Sequence, residues 1–150
     1  MIVTARKLAR SSPQKPRQAE LRRAVSTAYY ALFQAMAKDA ADLLIGIAGS
    51  RPSEMWVRTY RALQHGDAKN GCIQVQNSAD SPSALARCAK AFIVLQEQRH
   101  RADYDPTLRL LRTDALGAIK LAEDAVRDLR AAGRDERKAF AAQLLFRKRT

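Results

Sequence analysis

Three short stretches of this 150-residue chain carry side chains suited to phosphate or proton-transfer chemistry. The densest is Arg99-His100-Arg101-Ala102-Asp103-Tyr104-Asp105-Pro106, with two guanidinium groups and an imidazole beside two carboxylates and a phenol. Guanidinium forks match the oxygens of phosphate, and nearby carboxylates hold such forks in place. The stretch reads as an anion site whose arginines, with His100 beside them, are positioned by Asp103 and Asp105. The alternative is a plain meeting of two helix ends, with basic residues favoured at a C-terminus and Asp105 capping the next helix. That alternative accounts more directly for His100, Arg101 and Asp105 than for Arg99, Asp103 and Tyr104.

The second stretch holds Arg58, Arg61 and His65. At 100° per residue they share the helix face opposite Trp56, Tyr60 and Leu63. A cationic fork with an imidazole can hold a phosphodiester and move a proton, yet any amphipathic helix also needs a polar face. The third is Tyr29-Tyr30. Adjacent helical residues cannot share a face, so one ring is expected in the core and the other at its border, with its hydroxyl bonded. No phosphate-cradling Gly-rich loop, nucleophile elbow or paired-carboxylate spacing occurs.

The elements that must position these residues read as helices. A 3.6-residue pattern runs from near Gln18 to about Ile45, with Leu21, Val25, Ala28, Leu32 and Ala35/Met36 on one face. Seven alanines between Ala24 and Ala41 favour helix and allow a neighbour to approach closely; Gly46 and Gly49 end the pattern. A second helix follows Ser53 as N-cap and stops at Gly66, and 67–80 is the longest loop candidate. Ser81-Pro82 opens a third helix, with Leu85, Cys88, Phe92 and Leu95 inward, ending near Arg101. Asp105-Pro106 opens a fourth, carrying Leu108, Leu111, Ala115, Ile119, Ala122, Val126 and Leu129. Gly133 stops it, and a short fifth helix places Phe140, Leu144 and Leu145. The one β-prone run is Cys72-Ile73-Gln74-Val75. The predicted architecture is all-α, with four main helices and a short fifth: a basic flexible lead over 1–17, a bundle over 18–146 and a basic tail over 147–150.

Composition narrows the function. The chain is 47% hydrophobic and 28% charged, an ordinary globular balance for one domain. No apolar run is long enough for a membrane span, and the N-terminal residues lack a signal-peptide core, so a cytoplasmic protein is expected. Cys72 and Cys88 suit reduced thiols, and with only His65 and His100 beside them neither a metal site nor another cofactor is expected. The net charge of +12 is uneven. Residues 1–23 hold seven Lys/Arg against Glu20, and 130–150 hold seven against Asp135 and Glu136, while 24–129 are nearly neutral. The basic ends read either as non-specific phosphate contacts or as an aid to solubility.

Taken together, Arg23-Ala24-Val25-Ser26-Thr27-Ala28-Tyr29-Tyr30-Ala31-Leu32-Phe33, the Tyr60–Lys69 segment and the Arg99-x-x-Ala102-Asp103-Tyr104-Asp105 junction resemble the HEPN superfamily of small bacterial helical domains. The resemblance spans about residues 18–130. It implies a homodimeric helical bundle, often one half of a toxin–antitoxin or defence pair. In active members an arginine and a following histidine at the dimer interface form a metal-independent endoribonuclease site. Here the arginine maps to Arg99, but no histidine follows at a permitted offset and Tyr104 stands in that region. Two readings follow from the resemblance. One is an RNA-directed protein with an endoribonuclease site at Arg99 and Tyr104. The other is a catalytically inactive dimeric module that binds a protein partner, such as a nucleotidyltransferase or another antitoxin component.

Overall fold

The computed structural model describes residues 1–10, 17–49, 52–78 and 83–146. Among these it forms seven helices and no strand: α1 (Ile2–Arg10), α2 (Gln18–Ile45), α3 (Ser53–Ala62), α4 (His65–Ser78), α5 (Ala84–Tyr104), α6 (Arg112–Ala131) and α7 (Arg134–Leu145). The three long helices α2, α5 and α6 pack on one another. α1 lies across α2 and α6, α3 on α2, α4 on α5, and α7 against α2 and α4. No helix among the described residues is long and apolar enough to cross a membrane.

The stripe expected on α2 is the stripe that is buried: Leu21, Val25, Ala28, Leu32 and Met36 are all inaccessible or nearly so. Across from them lie Leu85, Phe92 and Leu95 of α5 and Ile119 and Leu129 of α6. Alanines fill the gaps between these larger side chains, which lets the helix axes approach closely. α2 ends at Gly46, whose φ of 123° few other residues tolerate, with its N–H bonded to the Asp42 carbonyl at 3.0 Å.

Several boundaries differ from the sequence-based expectation. The lead over 1–17 is not wholly outside the bundle, because α1 forms and buries Ala5 and Ala9. The helix expected over 53–66 breaks at Leu63, where extended backbone turns that side chain into the core and the chain restarts at His65. Ser53 is the first helical residue of α3 rather than its N-cap. The expected loop over 67–80 is instead mostly α4. Its glycines and asparagines are poor helix formers, but Ala68, Gly71 and Cys72 pack inward, and tertiary burial outweighs propensity. At Gly71 a Cβ would stand 2.6 Å from Leu144 Cδ2, so the missing side chain is what lets α7 close against α4.

The expected cap at Ser81-Pro82 lies outside the described residues; α5 starts at Ala84, and its cap is Ser83, whose Oγ accepts from Ala86 N at 3.1 Å. Asp105 does not open a helix. Its Oδ1 accepts from both Thr107 N and Thr107 Oγ1, forming a local turn that leads into an irregular linker over 105–111. α6 starts only at Arg112, where Asp114 Oδ2 accepts from Leu111 N at 2.7 Å. Leu111 has no side-chain acceptor, so the reciprocal bond of a capping box is missing.

Several cations of the basic ends are engaged inside the fold. Arg6 pairs with Glu123, and Arg22 donates to the carbonyls of Ala102 and Leu108. Arg137 meets Asp39 at 2.6 Å, both largely buried. Burial raises the Asp39 pKa, and the Arg137 charge offsets part of that rise. Replacing Arg137 by Met therefore strands a carboxylate, and the urea midpoint is expected to fall by the equivalent of about 1–3 kcal/mol. The double change with Asp39→Leu should recover most of the loss; a double mutant no better than Arg137→Met would show that the pair is not the source.

Candidate functional site

The fold brings one part of each chemically equipped stretch to one place: Tyr29 and Tyr30, His65, and Arg99 with Asp103. α2 presents Tyr29 inward and Tyr30 beside it; α4 begins with His65 against them; the last turns of α5 lay Arg99 across both rings. The Arg99 guanidinium carbon is 5.5 Å from the Tyr29 centroid and 5.4 Å from that of Tyr30, within cation–π range. Its Nη2 donates to Tyr30 Oη at 3.1 Å. Asp103, one turn along α5, places Oδ2 2.9 Å from Arg99 Nε, an ion pair whose geometry is off the N–H axis. Phe33 stacks on His65 at 4.1 Å, and Phe92 closes the core side of Tyr29 at 5.4 Å. Arg99, with 19% of its side chain accessible, is therefore the lid of an aromatic cage.

Inside the cage Tyr29 Oη and His65 Nδ1 are 2.6 Å apart. Tyr29 is fully buried, and burial pushes its phenol up to about 12 despite the nearby Arg99 charge, so the hydroxyl keeps its proton. The two groups share one hydrogen bond, and the imidazole tautomer sets which of them donates. Burial first, and the Arg99 charge second, lower the His65 pKa. The unfolded chain therefore takes up a proton at higher pH than the folded one. Stability is expected to fall as pH drops below the ordinary imidazole value of 6.5 and to level off beneath the folded value. His65→Gln should flatten urea midpoints across that window, and an unchanged slope would locate the titration elsewhere.

Outside the cage, the exposed side of α5 and the facing turn of α4 form an open groove of about 630 Å³. Lys69, Arg99, His100 and Arg101 line it, with Glu97 its one acid and Gln96 on its floor. Lys69 and Arg101 enter no ion pair among the described residues, although the Arg101 charge acts on Asp105. Tyr104 is 66% exposed and packs its ring on His100 at 4.9 Å, away from the Arg99 cage. No three residues among His, Cys, Asp and Glu converge to hold a metal among the described residues.

The sequence-predicted residues thus divide. Arg99 and Asp103 sit together. His100 and Arg101 line the adjoining groove, and Tyr104 stands beside His100 without joining Arg99. His65 leaves the face shared with Arg58 and Arg61, because the break at Leu63 re-aims it; those two arginines remain exposed on α3. Lys69 was missed because it lay within the expected loop; the i+4 spacing from His65 becomes legible only once α4 is read as a helix. No family model, curated protein or solved structure matches the chain.

Proposed function

We propose that the chain is a HEPN-like bacterial protein that binds RNA along the groove between α4 and α5 and acts there without a metal. The observation that carries this reading is the alignment of Lys69, Arg99 and Arg101 along one groove, with Lys69 and Arg101 outside any ion pair among the described residues. Such cations neutralise successive phosphates, and the exposed Tyr104 ring offers a stacking surface for a base. For strand cleavage, the 2′-hydroxyl oxygen would attack phosphorus, breaking the bond to the 5′-oxygen and leaving a cyclic phosphate and a 5′-hydroxyl. Arg99 and Arg101 would balance the charge on phosphorus. His100 is the groove imidazole able to shuttle the proton, and Tyr104 is a hydroxyl donor to a phosphate oxygen. His65 is not among the residues that line the groove.

A second reading has its own support. Arg99 is bound by Asp103, Tyr30 and two aromatic faces, as a structural arginine is. This favours a silent dimeric module for a protein partner of the nucleotidyltransferase or antitoxin kind. One experiment separates the two: mixed cellular RNA incubated in EDTA with the protein and with its Lys69→Ala and Arg101→Ala variants. Cleavage that drops at least tenfold in both variants supports the enzyme. Salt-sensitive binding without cleavage supports the silent module, and neither binding nor cleavage rejects the RNA reading.

A further inference from the structure

α7 packs against α4, and their outer edges enclose a groove of about 470 Å³ on the side of α4 away from Lys69. The two helices run antiparallel there: a Cβ at Gly71 would strike Leu144, while Gln74, three residues on, meets Gln143, one residue back. Bare backbone at Gly71 and the buried Leu144 side chain make the floor. Gln143 Nε2 donates to Gln74 Oε1 at 3.2 Å and closes one end. Phe146 therefore stands toward the other end, with Asp67 and Asn70. Its ring is 65% exposed, an apolar face held open at the mouth of the groove.

The lining is polar without being cationic. Asp67, Asn70 and Gln74 follow one row of α4, so a polar head recurs about once per 5.4 Å turn. The bond between Gln74 and Gln143 uses one donor and one acceptor of the pair, which leaves amide hydrogens and a carbonyl oxygen for a ligand. No lysine, arginine or histidine lines the groove among the described residues, although the chain carries a net charge of +12. A phosphate finds no counter-charge in such a lining, and a cation is repelled by the charge of the whole protein. A wholly apolar ligand would strip the amides of water without replacing their hydrogen bonds. An extended peptide fits poorly as well, because the facing backbones are helical and already bonded. What remains is a neutral ligand, rich in hydroxyls and apolar on one flat face. We propose that this groove binds a neutral pyranoside, with its C–H face on the Phe146 ring and its hydroxyls on Asp67, Asn70 and the Gln74–Gln143 amides. Each hydroxyl both donates and accepts, so neighbouring hydroxyls serve a carboxylate and an amide together.

The test is saturation-transfer NMR on the full chain, with methyl β-glucopyranoside, methyl β-galactopyranoside and methyl α-mannopyranoside as probes. At least one is expected to bind saturably, with a dissociation constant of about 1 mM, the range open to so small a ligand. Transfer should fall mainly on the C–H protons of one ring face. Sorbitol, which has the hydroxyls but no flat face, should bind at least fivefold more weakly. Phe146→Ala and Asn70→Ala should each weaken binding at least fivefold and leave the melting temperature in place, since both side chains are exposed. A disaccharide ending in the preferred sugar and binding tenfold tighter identifies a glycan chain end as the occupant; equal affinity identifies the free sugar. No saturable binding of any pyranoside, equal binding of sorbitol, or a folded Phe146→Ala variant that binds normally would each overturn the assignment. Tighter binding of glucose 6-phosphate, or binding of acetyl-triglycine-amide in place of the sugars, would overturn it too. RNA cleavage is read separately, so this groove and the one between α4 and α5 fail independently.

Discussion

Truncation of Tyr29 to alanine is expected to cost about 3–5 kcal/mol, the largest loss from any single side chain in the cage. Tyr29 is completely inaccessible and touches Tyr30, Phe33, Phe92, His65 and Arg99 at once. Its removal leaves an aromatic-sized void between α2 and α5, a lid arginine supported by the Tyr30 ring alone and an imidazole without its hydrogen-bond partner. For a domain of ordinary stability, roughly 5–15 kcal/mol, that brings the folded state near its limit. Tyr29→Phe keeps the ring and loses only the bond to His65 Nδ1, so about 1–2 kcal/mol is expected. Urea denaturation of both variants is the measurement. Equal midpoints for the two would mean that the ring contributes nothing beyond its hydroxyl, contrary to the packing.

The second large effect is at Arg99, where alanine is expected to lower stability by about 2–4 kcal/mol. The change removes two cation–π contacts, the bond to Tyr30 and the pair with Asp103. Asp103 and Tyr30 retain access to water, which keeps the cost below that of a stranded buried charge. Lysine should rescue little, because an ammonium lacks the planar fork that lies over both rings. Loss of RNA cleavage in Arg99→Ala is therefore not by itself a sign of a catalytic arginine, and Lys69→Ala and Arg101→Ala are the informative substitutions. An Arg99→Ala protein as stable as the parent, yet unable to act on RNA, would assign Arg99 wholly to the ligand.

Charge arithmetic alone left the two basic ends as either non-specific phosphate contacts or an aid to solubility. Removing the first ten residues would instead uncover the α2 and α6 surface beneath Ala5 and Ala9 and break the Arg6–Glu123 pair. A truncation that weakens RNA affinity there would report partly on the fold. The salt dependence of affinity is the cleaner probe. Loss of one phosphate contact, as in Lys69→Ala, should reduce the logarithmic salt slope by about one.

What the sequence determined by itself was the helical class, the extent of α2, the inward stripes of α2, α5 and, from Ala115 onward, α6 (Leu111, expected inward, is exposed), and the presence of three reactive stretches. These are local properties: an apolar period of 3.6 residues and a glycine at a positive φ need no distant partner to be recognised. The tertiary structure alone decided that Tyr29, His65 and Arg99 form one cage, that α1 and α4 are helices, and that α6 waits until Arg112. Each of those outcomes rests on contacts between residues far apart in the chain. Gly71 against Leu144 supports α4, Ala5 and Ala9 buried in the core support α1, and Gln18 and Arg22 hold the 105–111 linker out of a helix. Such contacts have no periodicity to read. Their free energy comes from burial and from hydrogen bonds that exist only once α2, α5 and α6 have assembled.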